Sequence, residues 1–250
     1  MKENQFQNTS SSKRGILGFL ESFVRKNRVL NFLIIYAIVV SCCAIILALS
    51  LFPGMTLVLW TYESVKEWIL PLKALALSFS LVGMFLSYIV CVIFVTPFFN
   101  TVLLQIPRWL KPFRGNTYSL EGIPWFIHNS FIYLVRYTCL EFITPSPLNV
   151  LFYKMMGMKI GKGVIINSSN ISDACLITLG DHVTIGGSAH LLTHYSQAGY
   201  LVVSTLEIKK ESTIGLKASV FGNVVIGERC TVSPHQVVLP RTRLEDGQKV

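Results

Sequence analysis

The sequence predicts a two-part fold: a membrane α-helical N-terminal part, followed by an all-β parallel β-helix built from hexapeptide repeats. Hydrophobic residues make up 52% of the chain and charged residues only 14%, against about 25% charged in a soluble domain. Two long runs in the N-terminal half carry no charge, which indicates that they face lipid. From residue 160 onward an aliphatic residue recurs every six positions, and a fixed hexapeptide period is typical of a β-helix.

We divide the chain into four segments. They are a basic N-terminal segment (1–28), a membrane domain (29–143), a connecting amphipathic helix (144–159) and a hexapeptide-repeat domain (160–250). The first three together contain 14 Lys or Arg and 6 Asp or Glu, a net charge of +8, whereas the repeats contain 8 and 7, a net charge of +1. A basic excess beside apolar segments is typical of membrane orientation. Nucleic-acid binding would instead need a basic patch on a folded face, and we expect no nucleic-acid partner.

The two uncharged runs predict transmembrane helices at about 30–52 and 74–96. Arg28 and Glu63 bound the first uncharged stretch, and each run exceeds the roughly 20 residues that a helix needs to cross a bilayer. A cleavable signal peptide is the alternative for the first run, but its apolar core would be only about 7–15 residues long and nearer the N-terminus. We therefore expect an anchor that stays in place.

The charges that flank these runs predict their orientation. Six basic residues precede the first run, and Arg108, Lys111 and Arg114 follow the second, whereas the loop between the runs is neutral. Because cytoplasmic flanks are usually the basic ones, we expect the N-terminus and the repeat domain to lie in the cytoplasm. The helices would then lie in a bacterial inner membrane.

A third apolar stretch, 123–143, contains Arg136 and Glu141. Because both charges would be costly at the centre of a bilayer, we expect an amphipathic helix that lies at the membrane interface. His128 would then be an interfacial residue rather than a ligand. If the stretch spanned the bilayer, the repeat domain would lie on the opposite side.

The repeats are most regular from Ile208 to the end of the chain. All seven hexads there begin with Ile, Val or Leu, and in five of the seven the fifth residue is small. Three hexads make one triangular coil, in which the aliphatic residue fills the core and the small residue fits at a corner. We count coils that begin at Ile160, Leu179, Val202 and Val220. A soluble amphipathic helix would show spacings of three and four instead.

The repeat has one extra residue in "SDACLIT" (172–178) and is interrupted more fully shortly after His194. Three hexads from Leu191 would place the next aliphatic start at position 209, but it falls at Ile208, which is equivalent to an insertion of five residues, "QAGYL" (197–201). We expect a loop at this point, with His194 at its root. Loops on a rigid scaffold are common places for functional sites.

The hexads resemble those of hexapeptide-repeat acyltransferases over about 150–250. The arrangement "PLNVLFYKMMGMKIGKGVIINSSNISDACLITLGDHVTIGGSAHLLTH" is also similar to the membrane-embedded C-terminal region of ε-polylysine-synthetase-like peptide synthetases, where transmembrane helices alternate with short β-helices. The resemblance implies a left-handed parallel β-helix, a homotrimer formed through these domains, and acyl transfer from acetyl-CoA or another acyl-CoA as co-substrate. No metal is expected.

The resemblance also implies a catalytic role for His194. In that family the catalytic histidine lies just before an extruded loop, where its neutral imidazole takes a proton from the acceptor; the pKa of histidine suits this task. The alternative is a histidine that merely decorates an exposed turn. His182, His190 and His235 are expected at the surface or at the trimer interface, with His190 as the second candidate for the catalytic histidine. A zinc site like that of γ-class carbonic anhydrases is disfavoured because its Gly-His and His-Gly motifs are missing.

By the same resemblance, the coenzyme would lie against the coils that follow the loop. The positions that match its binding residues are Gly215, Leu216, Ser233 and Pro234, with Arg241 and Arg243 as partners for its phosphates. The carboxylate that follows His194 most closely is Glu207, so the sequence does not indicate which group orients the imidazole.

The predicted function is a membrane-tethered acyltransferase, an O- or N-acetyltransferase. It would act on a membrane-associated acceptor such as an envelope glycan, a lipid-linked precursor or a polymer. The alternative is a non-catalytic membrane scaffold or accessory subunit of a biosynthetic complex. A transporter is disfavoured because the two spans contain no charge pair.

The last hexads, which start at Val238 and Leu244, make only two sides of a fifth coil. An open coil exposes unpaired backbone groups and an apolar core. We therefore expect the chain either to fray from about Val238 or to be covered there by a capping partner.

Overall fold

A computed structural model describes residues 15–116 and 119–250 of the chain. Apolar helices occupy the first part and short parallel strands the second, so the predicted fold class is confirmed. The first fourteen residues of the basic segment, which carry part of the charge used for the orientation, lie outside the described residues.

Two long helices dominate the N-terminal part. The short helix α1 (Gly15–Lys26) precedes α2 (Arg28–Ser64) and α3 (Leu70–Pro97), which pack against each other. The stretches Val29–Ser64 and Leu70–Leu103 are long and apolar enough to cross a membrane. Both helices extend beyond the predicted spans: α2 continues through the largely uncharged residues that follow its apolar run, and α3 begins earlier, at Leu70.

The helices α2 and α3 approach most closely at Gly54. A Cβ atom placed on Gly54 would lie 2.6 Å from the Met84 Cγ and 2.7 Å from its Cα. Gly83, on the facing helix, would meet only the terminal Cδ2 of Leu57, at 2.9 Å. Small residues are common where apolar helices pack backbone to backbone, and Gly54 has this role here.

Shorter elements connect the helical hairpin to the repeats. In chain order they are a π-helical segment (Phe98–Leu103), α4 (Ile106–Trp109), β1 (Phe113–Gly115), α5 (Gly122–Val135), a second π-helical segment (Arg136–Leu140) and α6 (Pro147–Met155). Helix α6 begins after Ser146, whose side chain accepts a hydrogen bond from the Leu148 N–H in the usual manner of an N-cap.

The stretch 123–143, whose position at the membrane interface stays a prediction, packs one side into the protein. It forms α5 and the second π-helical segment, and one side is completely buried, including Phe131, Ile132 and His128. These residues belong to or adjoin one continuous core that joins the apolar helices to the repeats. The expectation that His128 is an interfacial residue is wrong, because α5 is packed inside the protein.

The repeats form a triangular parallel β-helix with three faces. Face A contains β2 (Lys159–Ile160), β4 (Ile177–Leu179), β9 (Leu206–Ile208), β12 (Val224–Ile226) and β15 (Arg243–Leu244). Face B contains β3 (Ile165–Ile166), β5 (Thr184–Ile185), β10 (Thr213–Ile214) and β13 (Thr231–Val232). Face C contains β6 (His190–Leu192), β11 (Ser219–Phe221) and β14 (Val237–Val238), with Ile171 bridged to Leu191.

The interior follows the hexad pattern. Aliphatic first positions such as Leu179 and Ile208 stack in register and are almost fully buried. The small fifth positions Ser212 and Ala218 are fully buried beside the corners. The coil starts expected at Val202 and Val220 are wrong: the third and fourth coils begin at Ile208 and Ile226, because Val202 lies in a hairpin outside the β-helix.

The last coil is continuous with the rest. Val238 is 4% exposed and pairs with Val220. The Val250 N–H donates to the Thr231 carbonyl at 3.0 Å, and Lys249 forms a bridge with Thr231. The structure therefore does not show the expected fraying from Val238, while a capping partner stays a prediction.

Gly54→Ala should destabilise the helical hairpin by about 1–3 kcal/mol, the usual cost of overpacking, because the added methyl group meets backbone as well as side-chain atoms of Met84. Gly83→Ala is the matched control, since it meets only a side-chain end that can rotate away. Thermal unfolding in detergent measures both. Equal midpoints for the two variants would contradict this account of the packing.

Candidate active site

A β-hairpin leaves the β-helix directly after face C. It consists of β7 (His194–Gln197) and β8 (Tyr200–Val203), and the Ser204 N–H donates to the Thr193 carbonyl at 2.9 Å where the chain rejoins the coil. Ala198 and Gly199 have φ values of 50° and 80°, as the tightest hairpin turn requires. The predicted five-residue insertion is too short: the excursion extends from His194 to Val203.

The hairpin is held on its outer side by the segment that follows the long helices. Strand β1 pairs antiparallel with β8, and the Arg114 guanidinium lies 4.7 Å from the centre of the Tyr200 ring. Leu201 and Val203 are buried against Ile106 and other apolar residues of that segment. The hairpin is therefore held both by its pairing with β1 and by apolar packing around Ile106.

His194, at that root, pairs with a carboxylate. Its Nδ1 lies 2.7 Å from the Oδ2 of Asp173, whose side chain is completely buried, while the His194 side chain is 23% exposed. The Thr193 N–H donates to the same oxygen at 3.2 Å. Asp173 is therefore the group that orients the imidazole, which the sequence did not indicate. It precedes His194 in the chain rather than following it.

The repeat explains how Asp173 reaches this position. The bridge between Ile171 and Leu191 places Asp173 one coil before Thr193, at the same corner of the triangle. Asp173 has a φ of 55° and begins a short 3₁₀ turn, Ala174–Leu176. This turn accommodates the one extra residue in "SDACLIT", which was the signal in the sequence that this corner is special.

The pair suits a general base. Burial alone would raise the pKa of Asp173, but the hydrogen bond from His194, the charge that His194 carries when protonated and the Asn129 amide lower it by more, so the pKa lies below its usual value. An ionised Asp173 accepts the Nδ1–H of a neutral His194, which leaves Nε2 unprotonated and able to take a proton. The exposed part of His194 can thus meet a substrate.

Helix α5 forms the back wall of the pair. The Asn129 Nδ2 donates to the Oδ1 of Asp173 at 2.6 Å, and the Asp173 N–H donates to the Asn129 Oδ1 at 3.0 Å. Trp125, one turn earlier, lies edge-on to His194 with the ring centres 5.0 Å apart. Neither residue was a candidate from the sequence, because nothing in the sequence indicated that α5 packs on this corner.

A second histidine, His128 of α5, lies near the carboxylate. His128 is fully buried, and its Nδ1 lies 2.9 Å from the Oδ1 of Asn100. Burial lowers the pKa of His128 to about 4, although the charge of Asp173 acts in the opposite direction. His128 is therefore neutral near pH 7, with an Nε2 that has no hydrogen-bond partner among the described residues.

The residues expected to bind coenzyme do not form one cluster. Gly215 and Leu216 lie at the corner between faces B and C, stacked on Ser233 and Pro234: a Cβ atom on Gly215 would be 2.5 Å from the Pro234 nitrogen. His194 lies at the next corner, between faces C and A.

The two arginines are elsewhere. The Arg241 N–H donates to the Asn223 carbonyl at 3.1 Å, which places Arg241 at the His194 corner, two coils further along. Arg243 lies in β15 on face A and is exposed. Arg241 therefore lies at the same corner of the triangle as His194, whereas Arg243 lies neither at that corner nor beside Gly215 and Pro234.

The other histidines of the repeats are scattered. His182 lies at the corner between faces A and B, His190 in β6 beside Ser219, and His235 at the corner between faces B and C. Over residues 15–116 and 119–250, no three His, Cys, Asp or Glu side chains converge as they would at a metal site.

No protein-family model matches the chain. A delta-poly-L-ornithine synthetase of Acinetobacter baumannii (strain AB307-0294) is 30% identical over 110 residues, which cover 42% of this chain and 8% of that protein. The chain therefore spans less than a tenth of the length of that relative. This similarity agrees with the predicted resemblance to poly-amino-acid synthetases.

Solved structures with some similarity are acetyltransferases by name. A hexapeptide-repeat-containing acetyltransferase from Vibrio cholerae O1 biovar eltor, complexed with acetyl coenzyme A, is 29% identical over 36% of this chain and 55% of that one, with a TM-score of 0.28. A serine acetyltransferase of Neisseria gonorrhoeae is 15% identical over 54% and 52% of the two chains, with a TM-score of 0.33. The superpositions are too poor to carry an argument about activity.

The buried His128 should make the protein sensitive to acid. Between about pH 6.5 and pH 4 the unfolded chain binds a proton at this position that the folded protein does not, so the free energy of unfolding falls as the pH falls through that window. His128→Gln removes the titration, and its thermal midpoint should fall less than that of the wild type between pH 6.5 and 4.5. Parallel pH dependences would contradict the assignment.

Proposed function

We propose that the chain is a membrane-tethered acyltransferase that uses an acyl-CoA, acetyl-CoA in the first instance, with His194 as general base. The observation that carries the proposal is the pair of His194 with the buried carboxylate of Asp173 at the root of the hairpin. A histidine that merely decorated a turn would not need an ionised, fully desolvated partner, since burying a carboxylate is costly unless its hydrogen bonds are satisfied.

The proposed reaction proceeds in one transfer. The Nε2 of His194 takes a proton from the hydroxyl or amine of the acceptor, whose oxygen or nitrogen attacks the thioester carbonyl. The tetrahedral intermediate collapses, the carbon–sulfur bond breaks, and the imidazolium returns the proton to the leaving thiolate. The products are an ester or amide and free coenzyme A. Asp173 stabilises the imidazolium, and a backbone N–H near the hairpin would hold the oxyanion.

Acetyl-CoA would be bound at Gly215, Leu216, Ser233 and Pro234, with phosphates at Arg241 or Arg243. The four residues from Gly215 to Pro234 lie at the corner between faces B and C, whereas His194 lies at the opposite edge of face C. A second copy of the chain seated on this face would bring the two corners together. Leu192 and Phe221 on face C are half-buried, and Leu239 beside it is 64% exposed, which fits the homotrimer that we propose.

The acceptor is proposed to be membrane-associated: an envelope glycan, a lipid-linked precursor or a polymer. Helix α5, which contacts Asp173, also packs on the long apolar helices α2 and α3, so the proposed site lies next to the part that would enter the bilayer. The partial similarity to a delta-poly-L-ornithine synthetase favours an amine of a growing polymer among these acceptors. We propose a location in a bacterial inner membrane with the repeats in the cytoplasm, where acyl-CoA is available.

A non-catalytic scaffold or accessory subunit is the second candidate. It is favoured by the dispersal of the six predicted coenzyme residues over two corners and face A. The two functions differ in one measurable property, the release of coenzyme A.

His194→Ala should lower the release of coenzyme A from acetyl-CoA by about 10²–10⁴-fold, the usual contribution of a general base. The purified protein would be assayed with a thiol reagent against acceptors of each class. His190→Ala is the matched control, because His190 lies in β6 next to the hairpin and has no carboxylate partner among the described contacts. Inactivation by His190→Ala instead would place the site elsewhere, and no turnover with any acceptor would favour the scaffold.

A reporter fused after Val250 should behave as cytosolic, because the basic flanks of both long helices predict a cytoplasmic location for the two ends. Paired alkaline phosphatase and green fluorescent protein fusions would measure this, with fusions in the loop between α2 and α3 as the periplasmic control. Phosphatase activity after Val250 would show the opposite orientation and remove the access to cytosolic acyl-CoA.

A further inference from the structure

We propose that Asn129 is the third member of the site, a positioning residue through which the helical part holds Asp173 in the orientation that His194 needs. The kinetic part of this inference rests on the proposed acyl transfer, and the spectroscopic part does not. The amide of Asn129 and the aspartate form a closed ring of two hydrogen bonds, at 2.6 Å and 3.0 Å.

The geometry determines which way the amide faces. Its oxygen must be the atom that accepts the Asp173 N–H, and its nitrogen must be the atom that donates to the carboxylate. A reversed amide would place oxygen against oxygen and N–H against N–H. The Asn129 Nδ2 also donates to the Trp125 carbonyl at 3.1 Å, which fixes the side chain along its own helix.

Each oxygen of the carboxylate has its own partners. Oδ2 accepts from the His194 ring and the Thr193 N–H, both on the β-helix. Oδ1 has the Asn129 amide as its hydrogen-bond partner among the described residues. Without Asn129, a completely buried carboxylate would have one oxygen unsatisfied. The carboxylate would then rotate toward other donors, and until it did so its unsatisfied oxygen would cost free energy.

The helix that carries Asn129 is itself well anchored. His128 bonds Asn100 in the π-helical segment that follows α3, and the Phe126 ring packs on Phe32 of α2 with the centres 5.9 Å apart. The position of the carboxylate therefore depends on how α5 packs on the two long helices. A purely structural asparagine would equally fill the space, so the test must report on the His194–Asp173 bond itself.

The first experiment is kinetic and uses the full chain. Asn129→Leu removes both hydrogen bonds at nearly constant volume and should lower turnover by about 10²-fold, the effect of a misplacement near 1 Å. Ser130→Ala is the matched control, because the Ser130 hydroxyl bonds only the Phe126 carbonyl of its own helix among the described contacts. It should change turnover less than twofold. Equal effects of the two variants would overturn the proposal.

Asn129→Asp supplies the readout that a space-filling role would not change. When protonated, the new carboxyl group donates to Oδ1 of Asp173 and accepts from its N–H, as the amide does. Two buried carboxyl groups in contact share one proton, and their upper pKa is raised. The activity of this variant relative to wild type should therefore be restored at low pH and fall as the pH rises, whereas Asn129→Leu stays low throughout. A pH-independent ratio for Asn129→Asp would overturn the proposal.

The second experiment does not need turnover. In protein with ¹⁵N-labelled histidine, the Nδ1–H of His194 should give a downfield proton resonance, assigned by its loss in His194→Ala. The resonance should disappear or shift upfield in Asn129→Leu and be unchanged in Ser130→Ala. An unchanged resonance in Asn129→Leu would overturn the role of Asn129. If no acceptor supports turnover while the resonance responds as expected, the acyl-transfer proposal fails and the positioning role stands.

Discussion

The architecture of the candidate site depends on one costly interaction, the complete burial of the ionised Asp173. A desolvated carboxylate is tolerated only when its hydrogen bonds are met, and two separate parts of the chain meet them. Thr193 and His194 come from the coil above, and Asn129 comes from a helix 44 residues away. The 3₁₀ turn begins at the acceptor Asp173 itself, while the root of the hairpin and α5 bring the donors to the same corner.

The break in the repeat follows from this requirement. A continuous hexad would have turned the corner after face C and entered face A without leaving the coil. The hairpin instead removes ten residues from the stack, and Gly222 then closes against Thr193: a Cβ atom on Gly222 would lie 2.3 Å from the Thr193 carbonyl oxygen. His194 therefore keeps its Nδ1 toward the buried carboxylate while part of its ring stays exposed.

The sequence predicted the parts of this structure that are periodic. The apolar runs indicated α2 and α3, and the six-residue period indicated the three faces, because both patterns reflect burial that repeats along the chain. It missed what depends on contacts between distant segments. Asp173 and Asn129 have no motif of their own, and the error that placed a coil start at Val202 came from counting aliphatic residues of a hairpin as hexads. The extra residue in "SDACLIT" was a local signal of the special corner, but its partner could be identified only once the coils were stacked.

The contact between α5 and the end of the helical hairpin determines how firmly Asp173 is held. Asn100 and His128 are fully buried, and each has an atom without a hydrogen-bond partner in the described structure. Such groups are costly in an apolar interior, yet they lie where α3 meets α5, directly behind the carboxylate. Their mutual hydrogen bond fixes the position of α5 more specifically than apolar packing alone would, since hydrophobic contacts are non-directional. The helical part thus contributes, besides two helices long and apolar enough to cross a membrane, the directional contacts that hold α5 against the carboxylate of Asp173.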